Sequence, residues 1–180
     1  SCPKCSANWD SLCDQYHLLG LQVDGTYCQK IVTASRRVLK VSEKLSFEEW
    51  AASPLVFLTA WHMLHTQGGL QASDRVLIHA AGSGIGQAAI QIARLSGATV
   101  ITTVGSDEKA ARAKALGAGT VINYKKGGFA QAVLDATGGK GIDLIFEHIG
   151  PETWTENFKC LAKGGRLVTC GATSGPKVEI

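Results

Sequence analysis

From Arg75 to Ala172 the sequence alternates short apolar runs with helix-like segments, and this alternation constrains the fold more than any other feature. "RVLIHA", "TVITTV", "TVINY", "GIDLIFEHIG" and "RLVTCGA" read as strands, separated by "GIGQAAIQIARLSG", "SDEKAARAKALGA", "FAQAVLDATGG" and "ETWTENFKCLAKGG" as helices. Strands that stay apolar without in–out alternation are covered on both faces, and a helix between successive strands is the crossover that parallel pairing requires. The expectation is an α/β fold, a doubly wound parallel sheet with helices on both faces. Local signals agree: Ser106 caps a helix whose first turn is acidic, and Gly97 and Gly117 end helices. Upstream, Ser46 with Glu49 three residues on forms a capping box opening "SFEEWAASPLVFLTAWHMLHTQ", which Pro54 breaks or offsets early.

Residues 1–45 have a different texture. They hold Cys2, Cys5, Cys13 and Cys28, the turn Asp24-Gly25, and two β-type stretches, "GTYCQKIV" and "RRVLKV". The sequence therefore divides into 1–45 and 46–180. The six cysteines do not suggest a disulfide scaffold, because such chains are shorter and poorer in helix and strand signals; Cys160 and Cys170 read as small core residues and Cys28 as a strand residue. The only methionine is Met63, and "GPKVEI" ends on a pattern that reads as an entering strand, so the sequence reads as an internal piece of a longer polypeptide. A net charge of +3 gives no reason to expect nucleic acid or an anionic membrane as partner. With no apolar run near the ~20 residues of a span and no leader pattern, the expectation is a soluble, cytoplasmic protein.

"HAAGSGIGQAAIQIARLSGATV" places Gly82, Ser83, Gly84, Ile85 and Gly86 at a strand-to-helix turn. Glycines let the backbone approach a ligand, and the helix that follows presents free N–H groups and a positive dipole end to an anion. Dinucleotide pyrophosphate fits, with a purely structural turn as the plain alternative. Read as G-x-G-x-x-G back from Gly86, Ser83 takes the second glycine position and Ala81 the first; read as G-x-G-x-G, the turn also suits an S-adenosylmethionine methyltransferase. An acid at the end of the second strand would hold the ribose of NAD, but Val104 stands at that position. Without a carboxylate a 2′-phosphate is not repelled, and Ser106 and Lys109 supply a hydroxyl and a cation, which favours NADP(H) over NAD(H). Alternatively, Ser106 is only a helix cap and Lys109 only a solvated side chain.

The stretch "VLIHAAGSGIGQAAIQIARLSGATVITTVGSDEKAARAKALGA" followed by "VINY", with "LSFEEWAASPLVFLTAW" before it and "GGRLVTCGATSG" after it, resembles the cofactor domain of medium-chain dehydrogenases/reductases, the superfamily of zinc-type alcohol dehydrogenases and quinone oxidoreductases. The resemblance implies a Rossmann-type domain at 46–180, preceded at 1–45 by a remnant of the catalytic domain, in an enzyme moving hydride between NAD(P)H and a carbonyl, alcohol or activated alkene. It implies that Tyr124 lies near the adenosine end of the cofactor, and Thr59 and Gly171 near the nicotinamide. The bland alternatives are a strand-end aromatic, a helix hydroxyl bonded to its own backbone, and a turn. His148 ends the fourth strand, where such folds present residues to the ligand crevice, or is a satisfied polar residue.

Zinc-type members carry a lobe with cysteines spaced C-x2-C-x2-C-x7-C, and "CPKCSANWDSLC" supplies the last three as Cys2, Cys5 and Cys13, implying a structural zinc in the parent protein; with only these three the piece itself is expected to bind zinc weakly, through water or a borrowed ligand such as His17. At the position of the cysteine that ligates the catalytic zinc, "SPLVFLTAW" has Leu55. The resemblance thus implies the zinc-independent, quinone-oxidoreductase branch, with hydride delivered to a quinone-like or enone substrate. No residue stands out as catalytic acid or base. A zinc-dependent alcohol dehydrogenase and a non-catalytic nucleotide-binding protein of the same fold are the alternatives, and a homodimer or homotetramer is implied for the parent.

Overall fold

The computed structural model describes residues 2–178, the side chain of Arg36 excepted. Its contacts divide the chain between Lys44 and Leu45, one residue from the expected boundary.

The first unit has little regular structure. Helix α1 (Pro3–Ser6) starts with proline at its first position, where no amide donor is needed. Short 3-10 turns follow at Asp10–Leu12 and Ser35–Arg37, and one isolated bridge joins Leu19 to Val23. No strand forms at "GTYCQKIV" or "RRVLKV", which corrects the β reading of both stretches and of Cys28. A β pattern becomes a strand only where a neighbour completes the ladder, and among the described residues these stretches have none. Val32 and Leu39 are correspondingly 100% and 85% exposed, and the Cys28 thiol donates to the Gly25 carbonyl in a loop.

In the second unit the Ser46 capping box forms as expected: Ser46 Oγ accepts the Glu49 amide and Glu49 Oε2 accepts the Ser46 amide at 2.8 Å. Helix α2 (Phe47–Ala52) ends where proline forbids continuation, and α3 (Pro54–Trp61) restarts with Pro54 in its first turn. A π-helical turn, His62–Gln67, closes it.

The alternating remainder is β1 (Arg75–Ile78), α4 (Gly84–Leu95), β2 (Thr99–Val104), α5 (Asp107–Ala115), β3 (Thr120–Asn123), α6 (Phe129–Ala136), β4 (Ile142–Glu147), α7 (Pro151–Cys160) and β5 (Leu161–Thr169). All strand pairs are parallel, in the order β3-β2-β1-β4-β5 of a Rossmann sheet. Successive residues of each strand face opposite sides. Val76, Ile78, Val100, Val104, Leu144 and Phe146 join a core with α3 and α4, whereas Leu77, Ile101 and Ile145 join one with Phe129 and Val133 of α6.

Two boundaries differ from expectation. The fourth helix stops at Cys160, and "LAKGG" belongs to β5. The register jumps from Ile142–Leu161 to Leu144–Arg166, so Ala162–Gly165 arches out of the ladder, with Gly164 at φ +75°. Cys160 is fully buried, and desolvation raises its thiol pKa to about 11. Cys170 is exposed, not a core residue, because β5 has already ended at Thr169. Of "GPKVEI", Gly175–Val178 forms no strand and the last two residues lie outside the described part.

Candidate functional site

The chain leaves β1 toward α4 on one side, and β4 runs beside β1 with its helix on the other, so their carboxyl ends flank a switch-point crevice. The glycine turn sits at this crevice. Ser83 caps α4: its Oγ accepts the Gly86 amide at 3.0 Å, and its carbonyl accepts the Gln87 amide. The Gly84 and Ile85 N–H groups, which no helical carbonyl can reach, form the open N-terminal end. A Cβ on Gly86 would lie 2.4 Å from the Ala80 carbonyl oxygen, so glycine there is forced by the close approach of α4 to β1. The side chain of Lys109 crosses this turn; a Cβ on Gly82 would meet its Cδ at 2.9 Å. Gly82, Ser83, Gly84, Ile85, Gly86 and Lys109 therefore share one location. A cation lies across an anion-seeking helix end, whereas the sequence reading places Lys109 with Ser106 at the 2′-phosphate.

At the end of β2 the structure changes the sequence argument. Val104 is 1% exposed and packed in the core with α4, so a residue at that position faces away from the crevice. The residue that leaves the strand toward the ligand side is Gly105, and an added Cβ there would lie 2.7 Å from the Tyr124 hydroxyl. Sequence reasoning missed Gly105, although strand alternation marks it as facing opposite to Val104. Ser106 does cap α5, its Oγ accepting the Lys109 amide at 3.3 Å, which leaves its own proton free to donate. Gly105 thus meets Tyr124, while Ser106 caps the helix whose Lys109 reaches the α4 turn.

Tyr124 is about half exposed. It borders a cavity of about 270 Å³ that also touches His79, Thr103, Phe129, Ile149 and Thr153. On the β4 side, His148 is buried and its Nε2 donates to the His79 carbonyl at 3.1 Å, so it is a satisfied polar group bracing the crevice. Gly171 packs against it, and a Cβ would fall 2.8 Å from the His148 carbonyl oxygen. Thr59 lies half-buried on α3, one turn beyond Val56, whose side chain packs on Gly84. Leu55 is 78% exposed at the start of the same helix.

Two fully buried polar residues were also missed. Glu147 ends β4 and accepts the Ile149 and Gly150 amides at 2.7 and 2.9 Å and the Thr153 hydroxyl at 2.8 Å, thereby tying down the entry to α7. His79 follows β1 and bonds Thr103 and Asn157. Their only sequence signal is a polar residue closing an apolar run, in "VLIHA" and "LIFEH".

In the first unit Cys2, Cys5 and Cys13 converge, their sulfurs all within 4.8 Å of one another. Cys2 Sγ lies 3.6 Å from Cys5 Sγ and 3.8 Å from Cys13 Sγ. Thiolates ~2.3 Å from a tetrahedral metal stand roughly 3.8 Å apart, so the spacing fits zinc. The Cys5 backbone, through its hydrogen bond, lowers the Cys2 thiol to about 7, whereas Cys13 raises that of Cys5. His17 lies outside the cluster, its Nδ1 at 3.1 Å from the Gln15 carbonyl.

Residues 84–180, more than half of the chain, match the family model described as zinc-binding dehydrogenase. The chain belongs to this family. It lies in the medium-chain dehydrogenase/reductase superfamily. Among curated members, a 2-haloacrylate reductase from a Burkholderia species is 37% identical over 153 residues, 84% of this chain and 46% of that protein. A quinone oxidoreductase from Salmonella typhimurium is 38% identical over 145 residues, 81% of this chain and 44% of that protein. The chain thus spans about half the length of these dehydrogenases. Among solved structures, an NAD-dependent alcohol dehydrogenase superposes with a TM-score of 0.92 at 44% identity, covering 97% of this chain and 51% of its own. The Escherichia coli quinone oxidoreductase complexed with NADPH gives 0.72 at 35% identity over 76% of this chain and 42% of its own. No helix among the described residues is long and apolar enough to cross a membrane.

Proposed function

We propose that this chain is the cofactor-binding part of an NADP(H)-dependent, cytoplasmic oxidoreductase that transfers hydride to an activated alkene or quinone-like substrate without a catalytic zinc. The observation that carries the reading is the end of β2. Gly105 stands where an acid would hold an NAD ribose, with Tyr124, Ser106 and Lys109 gathered around the crevice on either side. A 2′-phosphate meets no carboxylate at Gly105, a free hydroxyl proton on Ser106 and a lysine within reach. The Gly84 and Ile85 amides would hold the pyrophosphate, Tyr124 would flank the adenosine, and Thr59, His148 and Gly171 would line the nicotinamide end. The bound cofactor supplies the hydride; the residues of this chain bind and orient it.

Leucine offers no donor atom to a metal, so Leu55 supports a substrate whose carbonyl needs no Lewis acid, such as an enone or quinone. Relatives named quinone oxidoreductase and 2-haloacrylate reductase agree with that class. Cys2, Cys5 and Cys13 would hold a structural zinc, completed by a ligand from elsewhere in the parent protein, and their free thiols suit a reducing compartment. Among the described residues β5 pairs with β4 alone, and this open edge supports a parent that assembles as a homodimer or homotetramer.

A second reading has one specific observation behind it. The alcohol dehydrogenase that covers 97% of this chain, and hence nearly all of the cysteine unit, is an NAD-dependent one. Calorimetric titration with NADPH and NADH separates the two. Tighter NADPH binding, weakened about tenfold or more in Lys109→Ala plus Ser106→Ala, is the expected result. Equal or tighter NADH binding replaces the NADP reading with the NAD one. In a companion variant, Gly105→Asp with Tyr124→Phe to make room, preference should move toward NADH.

A further inference from the structure

The glycine turn is held by a chain of hydrogen bonds that begins on the far side of the sheet, in α7. We propose that His79 is a positioning residue for the phosphate-binding turn: it fixes the Thr103 hydroxyl that in turn receives the Ala80 amide. The inference rests on the dinucleotide reading of the turn and adds to it a residue that acts on the turn through Thr103.

Ala80 is where the turn is least comfortable. Its φ is +49°, a left-handed backbone that is costly for a non-glycine residue and persists only where the surroundings enforce it. The enforcement is visible. The Ala80 carbonyl accepts the Ser83 amide and the Ser83 hydroxyl, at 2.9 and 2.8 Å. On the other side, Thr103 in β2 takes the Ala80 amide on its Oγ1 at 3.2 Å and the Ala81 amide on its carbonyl at 3.0 Å. Ser83 is also the cap of α4, so the Ala80 conformation sets where the Gly84 and Ile85 amides point.

A threonine hydroxyl has one proton and can rotate it away from its acceptor role. His79 decides its direction. His79 Nε2 lies 2.7 Å from Asn157 Oδ1, an oxygen that can only accept, so Nε2 carries the ring proton. His79 Nδ1 is then a bare lone pair, and it sits 3.1 Å from Thr103 Oγ1. The Thr103 proton goes to Nδ1, and the oxygen's remaining lone pair is turned to the Ala80 amide. Asn157 is itself fully buried, and with its oxygen as the atom facing Nε2 its Nδ2 has no partner among the described residues.

The surroundings keep the ring neutral, as this pattern demands. His79 has no exposed surface, and desolvation lowers its pKa. The ionisable groups facing it from β4 are Glu147 and His148. The carboxylate of Glu147 is taken by two amides and Thr153, and His148 Nε2 by the His79 carbonyl. From α6 the Phe129 ring packs edge-on, with centroids 4.9 Å apart. Nothing here competes for Nδ1.

The two ring nitrogens can be replaced one at a time. His79→Asn puts an acceptor near Nδ1 and removes the bond to Asn157. His79→Gln puts a donor near Nε2 and removes the acceptor for Thr103. If His79 positions the turn, His79→Gln weakens NADPH binding about tenfold, whereas His79→Asn changes it by less than about twofold although both melt earlier. Thr103→Val should match His79→Gln, Thr103→Ser should restore binding, and His79→Gln with Thr103→Val should lose no more than either alone. Equal losses in the Gln and Asn variants, in step with their melting temperatures, would reduce His79 to a core residue and overturn the proposal.

Amide hydrogen exchange without ligand supplies an independent readout. Exchange at Ala80 should quicken about tenfold in His79→Gln and much less in His79→Asn. If the parent chain binds neither NADPH nor NADH, the cofactor reading fails, while this exchange contrast still upholds the positioning role. Equal exchange in the two variants overturns it.

Discussion

Between Leu45 and Val178, aliphatic side chains fill both faces of a parallel sheet, while between Cys2 and Lys44 no described side chain is fully buried. The larger unit is held by removal of apolar surface from water, distributed over many residues. The smaller has apolar residues too, among them Leu12, Leu21, Tyr27 and Leu39, but they remain exposed. What it has instead is three converging thiols. A segment this short and open can be ordered by one metal ion in place of a core, because the binding free energy of the metal is then folding free energy. The difference also concerns function: the unit with the core carries the candidate cofactor crevice, and the unit without one carries the three-thiol cluster.

Three measurements test that contrast. The largest effect should come from a strong chelator applied to zinc-loaded protein. Amides of residues 2–14 should lose protection by about a hundredfold or more, while the melting transition of the sheet stays where it was. An unchanged exchange pattern around Cys2, Cys5 and Cys13 would break the comparison, since the small unit would then be ordered by something other than metal. Next, Ile145→Ala, deep in the sheet, should cost about 2–5 kcal/mol in denaturant unfolding, against less than about 0.5 kcal/mol for Leu39→Ala. Similar costs at both sites would mean that Leu39 is packed in solution.

The smallest effect concerns pH. Burial lowers the pKa of His79 below the ordinary histidine value of 6.5, so the unfolded chain takes up the proton first as pH falls. Its contribution is whole above 6.5 and is lost progressively as pH drops from there toward the lowered pKa. Thermal melting of the sheet should therefore fall more steeply below pH 6.5 in the native sequence than in His79→Asn, which has nothing to titrate there. Parallel curves would show that His79 is not held neutral.

Much of this molecule is local, and what is local was legible. The Ser46–Glu49 box, the proline restart at Pro54, the glycine turn opening α4, the Ser106 cap and the helix ends at Gly97 and Gly117 are set by residues three or four apart. The Cys2, Cys5 and Cys13 cluster follows from spacing within one short helix and turn. Tertiary structure decided what depends on which way a side chain faces and what waits there. Val104 points into the core and Gly105 into the crevice because β2 is a central strand between β1 and β3. "GTYCQKIV" stayed a loop for want of a neighbouring strand, and "LAKGG" left its helix to bulge along β4. His79 meets Thr103 and Asn157, 24 and 78 residues away, only because the parallel crossovers bring β2 beside β1 and return α7 to the opposite face from α4. Periodicity within a window fixes the elements. Which elements become neighbours is a property of the whole sheet, and the candidate site is built from those neighbours.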